Sequence, residues 1–217
     1  MNADLFDDLE RARCWREPLA PGATVLRRFA LAEERSLLAA VSDVAARAPF
    51  RHMTTRGGFR MSVAITNCGA YGWVSDRSGY RYDPLDPDSG KPWPEMPPLL
   101  LRLARDAAAE AGFPGFTPDA CLINRYLPGA RMSLHQDRDE RDFGQPIVSI
   151  SLGLPALFLF GGLRREDKTA RVPLTHGDVV VWGGPARLRY HGVLALKDGQ
   201  HPLLGGARIN LTLRAAR

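Results

Sequence analysis

From Ala120 to Arg214 the sequence breaks into short apolar or alternating runs, each closed by a turn signal. This rhythm constrains the fold more than any other feature. The runs are Cys121–Tyr126, Pro146–Leu152, Ala156–Phe160, Arg171–Leu174, Asp178–Trp182, Leu188–Val193 and Arg208–Arg214. Between them stand Pro128-Gly129, Gly153 with Pro155, Gly161-Gly162, His176-Gly177-Asp178 and Gly183-Gly184-Pro185. These residues fix φ or accept positive φ, as tight turns require. Parallel strands need crossovers of a dozen residues or more, which this spacing does not offer. A mainly β sandwich or jelly roll is the expected core.

Two helical patterns precede that block. Ala32–Ala48 carries Leu37, Leu38, Val41, Val44, Ala45 and Ala48 at helical spacing, and Pro49 stops it. Pro98–Ala111 carries Leu100, Leu103, Ala104, Ala107 and Ala111, and Gly112 suits a helix C-terminus. Both are expected to pack outside the strands. Ahead of them, residues 1–20 read as a loosely held arm anchored by Trp15 and Leu19, and Thr24–Phe29 as a first strand. Between the helices, Gly57-Gly58 is a turn and Phe59–Thr66 reads as a strand. Tyr71, Trp73, Tyr80 and Tyr82 follow, among Arg77 and Arg81, before the stiff stretch holding Pro84, Pro87, Pro92 and Pro94. Aromatics interleaved with cations suit stacking on bases and holding phosphates; they equally suit an apolar subcluster beneath a long loop.

The chemistry concentrates in Ser133-Leu134-His135-Gln136-Asp137. In extended backbone His135 and Asp137 share a face, so an imidazole and a carboxylate can take adjacent corners of one metal. His52, His176, His191 and His201 are available as a third ligand. His191, at the end of a strand pattern, is the favoured one; His176, in a turn, is the alternative. Two His and one carboxylate leave coordination positions open, as in non-haem Fe(II) oxygenases. The last run alternates strictly. Arg208, Asn210, Thr212 and Arg214 take one face, and Ile209, Leu211 and Leu213 the other. The polar face is either the wet side of an edge strand or the wall of an anion pocket, because guanidinium pairs with carboxylates bidentately. Asn124 and Tyr126 share a face of their own run and can donate to the same anion.

The balance of 29 Lys and Arg against 24 Asp and Glu gives a net charge of +5, which suits a polyanionic partner as well as a merely basic enzyme. Cys14, Cys68 and Cys121 are far apart and form no C-x-x-C, which argues against a zinc ribbon or a disulfide framework and for a reduced, cytoplasmic compartment. Asp4, Asp7, Asp8 and Glu10 have the wrong sign for a signal peptide. No apolar run has the length of a membrane span, so no membrane association is expected.

Taken in order, Asn124-Arg125-Tyr126, His135-x-Asp137, His191 and Arg208-x-Asn210-x-x-x-Arg214 resemble the Fe(II)/2-oxoglutarate dioxygenases of the AlkB family, and its bacterial members in particular. The likeness runs from about Trp15 to Arg214. It takes in Met61-Ser62-Val63-Ala64, Asn67-Cys68-Gly69, Pro118-Asp119-Ala120-Cys121 and Gly177–Gly184. The resemblance implies one catalytic domain over 1–217, with a double-stranded β-helix core at 120–214 and a nucleotide-recognition lid at 50–94. It implies Fe(II) on His135, Asp137 and His191, and 2-oxoglutarate on Asn124, Tyr126, Arg208, Asn210 and Arg214, with O2 as the oxidant. Trp73, Asp139, Arg165, Met61 and Tyr80 would line a base pocket, and Arg131, Arg138, Arg164 and Arg165 would meet phosphates. The implied activity is oxidative demethylation of bases such as 1-methyladenine or 3-methylcytosine in DNA, and to some degree in RNA, with release of formaldehyde. The sequence leaves single- and double-stranded DNA both open as partners, and a monomer is the default expectation. Two other readings remain open to the residues alone. One is a hydroxylase of a protein or small molecule; the other is a non-enzymatic metal-binding β-roll.

Overall fold

The computed structural model describes residues 14–217, so the acidic stretch from Asp4 to Glu10 lies outside the described residues. Among the described residues thirteen strands form three sheets. The first pair are β1 (Trp15–Ala20) and β2 (Ala23–Arg27). In the middle of the chain come β3 (Ala64–Gly69), β4 (Gly72–Asp76) and β5 (Gly79–Asp83). The remainder are β6 (Ala120–Tyr126), β7 (Met132–His135), β8 (Ile147–Gly153), β9 (Ala156–Phe160), β10 (Ala170–Leu174), β11 (Val179–Trp182), β12 (His191–Val193) and β13 (Arg208–Arg214). The large sheet runs β1-β2-β11-β8-β13-β6-β3 and the small one β10-β9-β12-β7. Every ladder between these strands is antiparallel. From β6 onward the chain passes between the two sheets repeatedly, which is the double-stranded β-helix, or jelly roll. β4 and β5 form a separate hairpin.

The period of two assigns each strand's residues to one of two cores. Val148, Ile150 and Leu152 of β8, Val179 and Val181 of β11, and Ile209, Leu211 and Leu213 of β13 pack outward against the helices. Val180 and Trp182 of β11, Phe158 and Phe160 of β9, and Tyr126 of β6 fill the space between the sheets. The helices are α1 (Glu34–Arg47) and α2 (Pro98–Glu110). α1 buries Leu37, Val41 and Val44, and α2 buries Leu100, Leu103 and Ala104 among others. Each such Leu or Val contributes roughly 1.5–3 kcal/mol. Pro98 opens α2 with a preset φ, and Gly112 follows it at φ 91°.

Three elements depart from the sequence reading. Trp15–Ala20 is an edge strand rather than a loose arm. The Arg27 Nε donates to Glu17 Oε2 at 2.7 Å and the Thr24 hydroxyl to the Glu17 carbonyl at 3.1 Å, which fasten it to β2. Trp15 itself is 51% exposed and anchors nothing. The run from Phe59 forms strand only from Ala64, because residues 53–61 pair among themselves. Met61 N donates to Met53 O at 2.9 Å and Thr55 N to Phe59 O at 2.8 Å. The Leu188–Val193 run keeps only His191–Val193 as strand, because a 3-10 turn at Gly184–Ala186 bends the chain into it. β7 carries too few residues to have stood out by periodicity.

Candidate active site

β7 and β12 bring the metal-ligating side chains together. His191 lies directly opposite His135 in the ladder, and Asp137 follows two residues after the end of β7. Gly192 permits this approach, since a Cβ there would stand 2.7 Å from the Met132 carbonyl oxygen. Among the described residues, His135, Asp137 and His191 are the one group of three whose ligand atoms lie within 4.8 Å of each other.

The hydrogen bonds fix which atoms face inward. The Nδ1 of His135 meets the Ser133 carbonyl at 2.8 Å, and the Nδ1 of His191 meets the Arg189 carbonyl at 3.1 Å. A carbonyl can only accept, so both Nδ1 atoms carry the proton and both Nε2 atoms present lone pairs. Each Nε2 is 3.5 Å from an Asp137 oxygen. Burial lowers the His191 pKa below its ordinary value, and the His135 ring lowers it further. Burial would raise the Asp137 carboxyl, but Arg214 and the two imidazoles outweigh it and hold Asp137 well below the usual carboxylate range. Burial would lower the His135 pKa, but Asp137 raises it above its ordinary value. With their Nε2 atoms turned inward, the two imidazoles and the carboxylate, each oriented by a second hydrogen bond, fit a divalent metal with open positions.

Beside this cluster lies a small cavity walled by Asn124, Tyr126, Arg208, Asn210 and Arg214. β13 is an interior strand of the large sheet, paired with β8 on one side and β6 on the other, so its polar face points into the barrel and not into solvent. Arg208 is 1% exposed. One of its nitrogens, Nη2, donates to Ser151 Oγ at 2.9 Å, while Nε and Nη1 have no hydrogen-bond partner among the described residues. Burial depresses its pKa, and no carboxylate pairs with it. An unpaired buried guanidinium is costly unless an anion completes it. The Oδ1 of Asn124 and the Nε1 of Trp182 are likewise buried without partners. Burial pushes the Tyr126 phenol up to about 12, so it stays protonated and able to donate. This donor set fits a small dicarboxylate such as 2-oxoglutarate.

The other two cavity residues are committed to protein partners. Asn210 Nδ2 donates to Ser149 Oγ at 2.8 Å and to the Ile150 carbonyl at 3.0 Å. Arg214 donates from Nη2 to Asp137 Oδ2 at 2.6 Å.

Above His135 a cleft of about 800 Å³ opens to solvent. Met61, Trp73, Tyr80, Asp139 and Arg165 all line it, together with Arg60, Arg131 and Arg138. Trp73 and Tyr80 stack at 5.6 Å and 12° across the β4–β5 hairpin, and the Trp73 Nε1–H donates to Asp139 Oδ2 at 2.9 Å. Arg164 does not line the cleft; it faces Glu166 and Asp167 in its own turn. His176 is structural, accepting from Gly153 N at 2.8 Å and meeting Glu34 at 2.9 Å. Sequence reasoning passed over Glu140 and Arg187 and placed Tyr82 only in the aromatic cluster, without a role at the site; all three side chains are buried. Nothing in their local spacing marks them, because their contacts span 42–132 positions of chain.

Comparison with known proteins agrees with this geometry. The family model of the 2OG-Fe(II) oxygenase superfamily matches residues 22–214. The chain is 58% identical over 213 residues to the alpha-ketoglutarate-dependent dioxygenase AlkB of Escherichia coli K12, covering 98% of this chain and 97% of that protein. It is 39% identical over 127 residues to the DNA N(6)-methyladenine demethylase ALKBH1D of Arabidopsis thaliana, covering 54% of this chain and 29% of that protein. The solved structure of OsALKBH1 superposes with a TM-score of 0.82 at 28% identity, over 93% of this chain and all of that one. The chain therefore belongs to the 2OG-Fe(II) oxygenase superfamily and, within it, to the AlkB family of Fe(II)- and 2-oxoglutarate-dependent dioxygenases.

Proposed function

We propose that this protein removes N-linked methyl groups from bases such as 1-methyladenine and 3-methylcytosine in DNA, with RNA as a second substrate, as a direct-reversal repair enzyme. The observation that carries the proposal is the continuity of the cleft. Its stacked aromatics, its Asp139 carboxylate and its arginines lie on one path that leads to His135. Methylation at either ring nitrogen leaves a cationic base with a blocked pairing edge. Trp73 stacks on that ring with a cation–π contribution of about 0.5–2 kcal/mol, and Asp139 pairs with its charge. Broken pairing lowers the cost of extruding the base from the stack. Arg131, Arg138 and Arg60 hold flanking phosphates, and Arg165 borders the pocket.

His135, Asp137 and His191 would hold Fe(II). Arg208 would pair with the far carboxylate of 2-oxoglutarate, using its two free nitrogens. Tyr126 and Asn124 flank that anion, while Asn210 and Arg214 keep the pocket wall and Asp137 in place. Bound Fe(II) would supply the oxidising power for hydroxylation of the N-methyl carbon, one atom of O2 going to that carbon and the other to the succinate formed as 2-oxoglutarate loses CO2. The resulting N-hydroxymethyl base loses formaldehyde and regains its native edge. The residues between the sheets exclude bulk water from the cluster and orient the methyl group toward it. The recognition lid spans 50–94; its β4–β5 hairpin carries Trp73 and Tyr80, and its β3 is also the edge strand of the large sheet.

The test is formaldehyde release from an oligonucleotide carrying 1-methyladenine or 3-methylcytosine, with Fe(II), O2 and 2-oxoglutarate supplied and Asp137→Ala as control. Release that depends on 2-oxoglutarate and restores the bases supports the proposal. Succinate without base repair would leave the dioxygenase and remove the nucleic-acid substrate.

A further inference from the structure

Glu140 is the most deeply buried carboxylate near the site that no reading above has used, with its side chain 2% exposed. It does not line the cleft, although its neighbour Asp139 does. Three groups converge on it. The Tyr82 hydroxyl donates to Oε1 at 2.6 Å, Arg214 Nε lies 3.3 Å from the same oxygen, and Arg187 Nη2 lies 3.0 Å from Oε2. Both arginines also reach Asp137. Arg214 donates to its Oδ2 at 2.6 Å and Arg187 Nη1 to its carbonyl at 2.7 Å. Tyr82 stands directly opposite Trp73 in the β4–β5 ladder, so one cross-strand pair grips both Asp139 and Glu140.

We propose that Glu140 is a positioning residue for the metal carboxylate, taking up the charge of Arg214 and Arg187 so that both can orient Asp137 without neutralising it. The inference rests on the reading of His135, Asp137 and His191 as the metal ligands. A carboxylate shared between a guanidinium and a metal is a weaker ligand the more the guanidinium depends on it alone. Without Glu140, Arg187 would keep only the main-chain carbonyls of Asp137 and Gln145, and Arg214 would keep Asp137 as its one carboxylate among the described residues, while both stand beside an incoming divalent cation. With Glu140 in place, two guanidiniums and two carboxylates balance before the metal arrives. Outer-shell groups of this kind are worth about 10–100-fold in metal affinity.

The experiment is Mn(II) titration of the full chain, without substrate, for wild type, Glu140→Gln, Tyr82→Phe and Asp137→Ala. Chemical unfolding of each metal-free protein runs in parallel. Glu140→Gln keeps the acceptor for Tyr82 and removes only charge. Mn(II) affinity is expected to fall about 10–100-fold in Glu140→Gln and about 2–10-fold in Tyr82→Phe, which loses one hydrogen bond to a charged group. A Glu140→Gln protein that unfolds more easily yet binds Mn(II) like wild type assigns Glu140 a structural role only and overturns the inference. If Glu140→Gln does not fold, Tyr82→Phe decides, and unchanged Mn(II) affinity in it is equally fatal. Wild-type affinity in Asp137→Ala would instead overturn the metal assignment, which separates the two failures.

Discussion

His135 and His191 face each other across the β7–β12 ladder with ring centroids 4.4 Å apart, each with its Nδ1 held by a main-chain carbonyl. The pair is therefore set before any metal arrives, with the two Nε2 atoms as the free positions. Replacing His135 or Asp137 with Ala should abolish turnover while leaving the sheets intact. Turnover at the original rate, in protein whose metal content has been measured, would remove these residues from the metal site.

Arg208 offers two free nitrogens in a dry wall, a geometry that Lys cannot reproduce. Arg208→Lys should raise the KM for 2-oxoglutarate by roughly 10–100-fold, from the loss of about 1.5–3 kcal/mol of charge-assisted bonding. Mn(II) affinity should stay close to wild type, because Arg208 makes no contact with Asp137. Succinate formation against 2-oxoglutarate concentration checks the first expectation and metal titration the second.

Trp73 is proposed to act twice, through its ring face and through the Nε1–H that holds Asp139. Trp73→Phe keeps a ring and loses the tether; Trp73→Ala loses both. KM for a 3-methylcytosine oligonucleotide should rise in the order wild type, Phe, Ala, with the Ala variant about 2–30-fold above wild type on the cation–π range alone. Equal KM values for all three would take Trp73 out of substrate binding.

Asp86 sits near the Pro-rich connection, with Arg51 at 2.6 Å and the Asp88 N–H at 3.1 Å. Burial would raise its carboxyl, but these partners win and its pKa lies below the ordinary 3.8. A depressed folded-state value means that its stabilisation is present above pH 3.8 and drains away as pH falls through the lowered pKa. Asp86→Asn should therefore be less stable than wild type at neutral pH, with the gap closing in acid. Urea midpoints of both proteins across that range test the sign.

Leu211 is fully buried on the helix side of β13. Leu211→Ala should cost about 2–5 kcal/mol by denaturant unfolding. A loss below about 1 kcal/mol would mean that the helices close over the vacated space.

What the sequence made legible follows from how locally each feature is encoded. The alternation of Arg208–Arg214 separated its two faces correctly, because period two is a property of seven consecutive residues. Whether the polar face was wet or buried was not legible, since that depends on β6 and β8 pairing on both sides. The choice of His191 came from its position at a strand end, and the ladder with β7 supplied the contact. Glu140 left no signal, because it is one acid among several in 137–142 and only the fold turns it inward. Trp15 misled for the complementary reason: it is an aromatic on an edge strand that the fold leaves 51% exposed.

Among the described residues β13 is the last strand in chain order, yet it lies inside the large sheet, between β8 and β6. During synthesis β6 and β8 must therefore wait with their facing edges unpaired until residues 208–214 leave the ribosome. Unpaired edges are templates for other chains, and long-range pairings close slowly. The strand that seals this gap is also the one that carries Arg208, Asn210 and Arg214. A nascent chain thus acquires the wall of the pocket proposed for 2-oxoglutarate and its protection from aggregation in a single late event, and conditions that slow that event should lower the yield of soluble protein before they impair any molecule that has completed it.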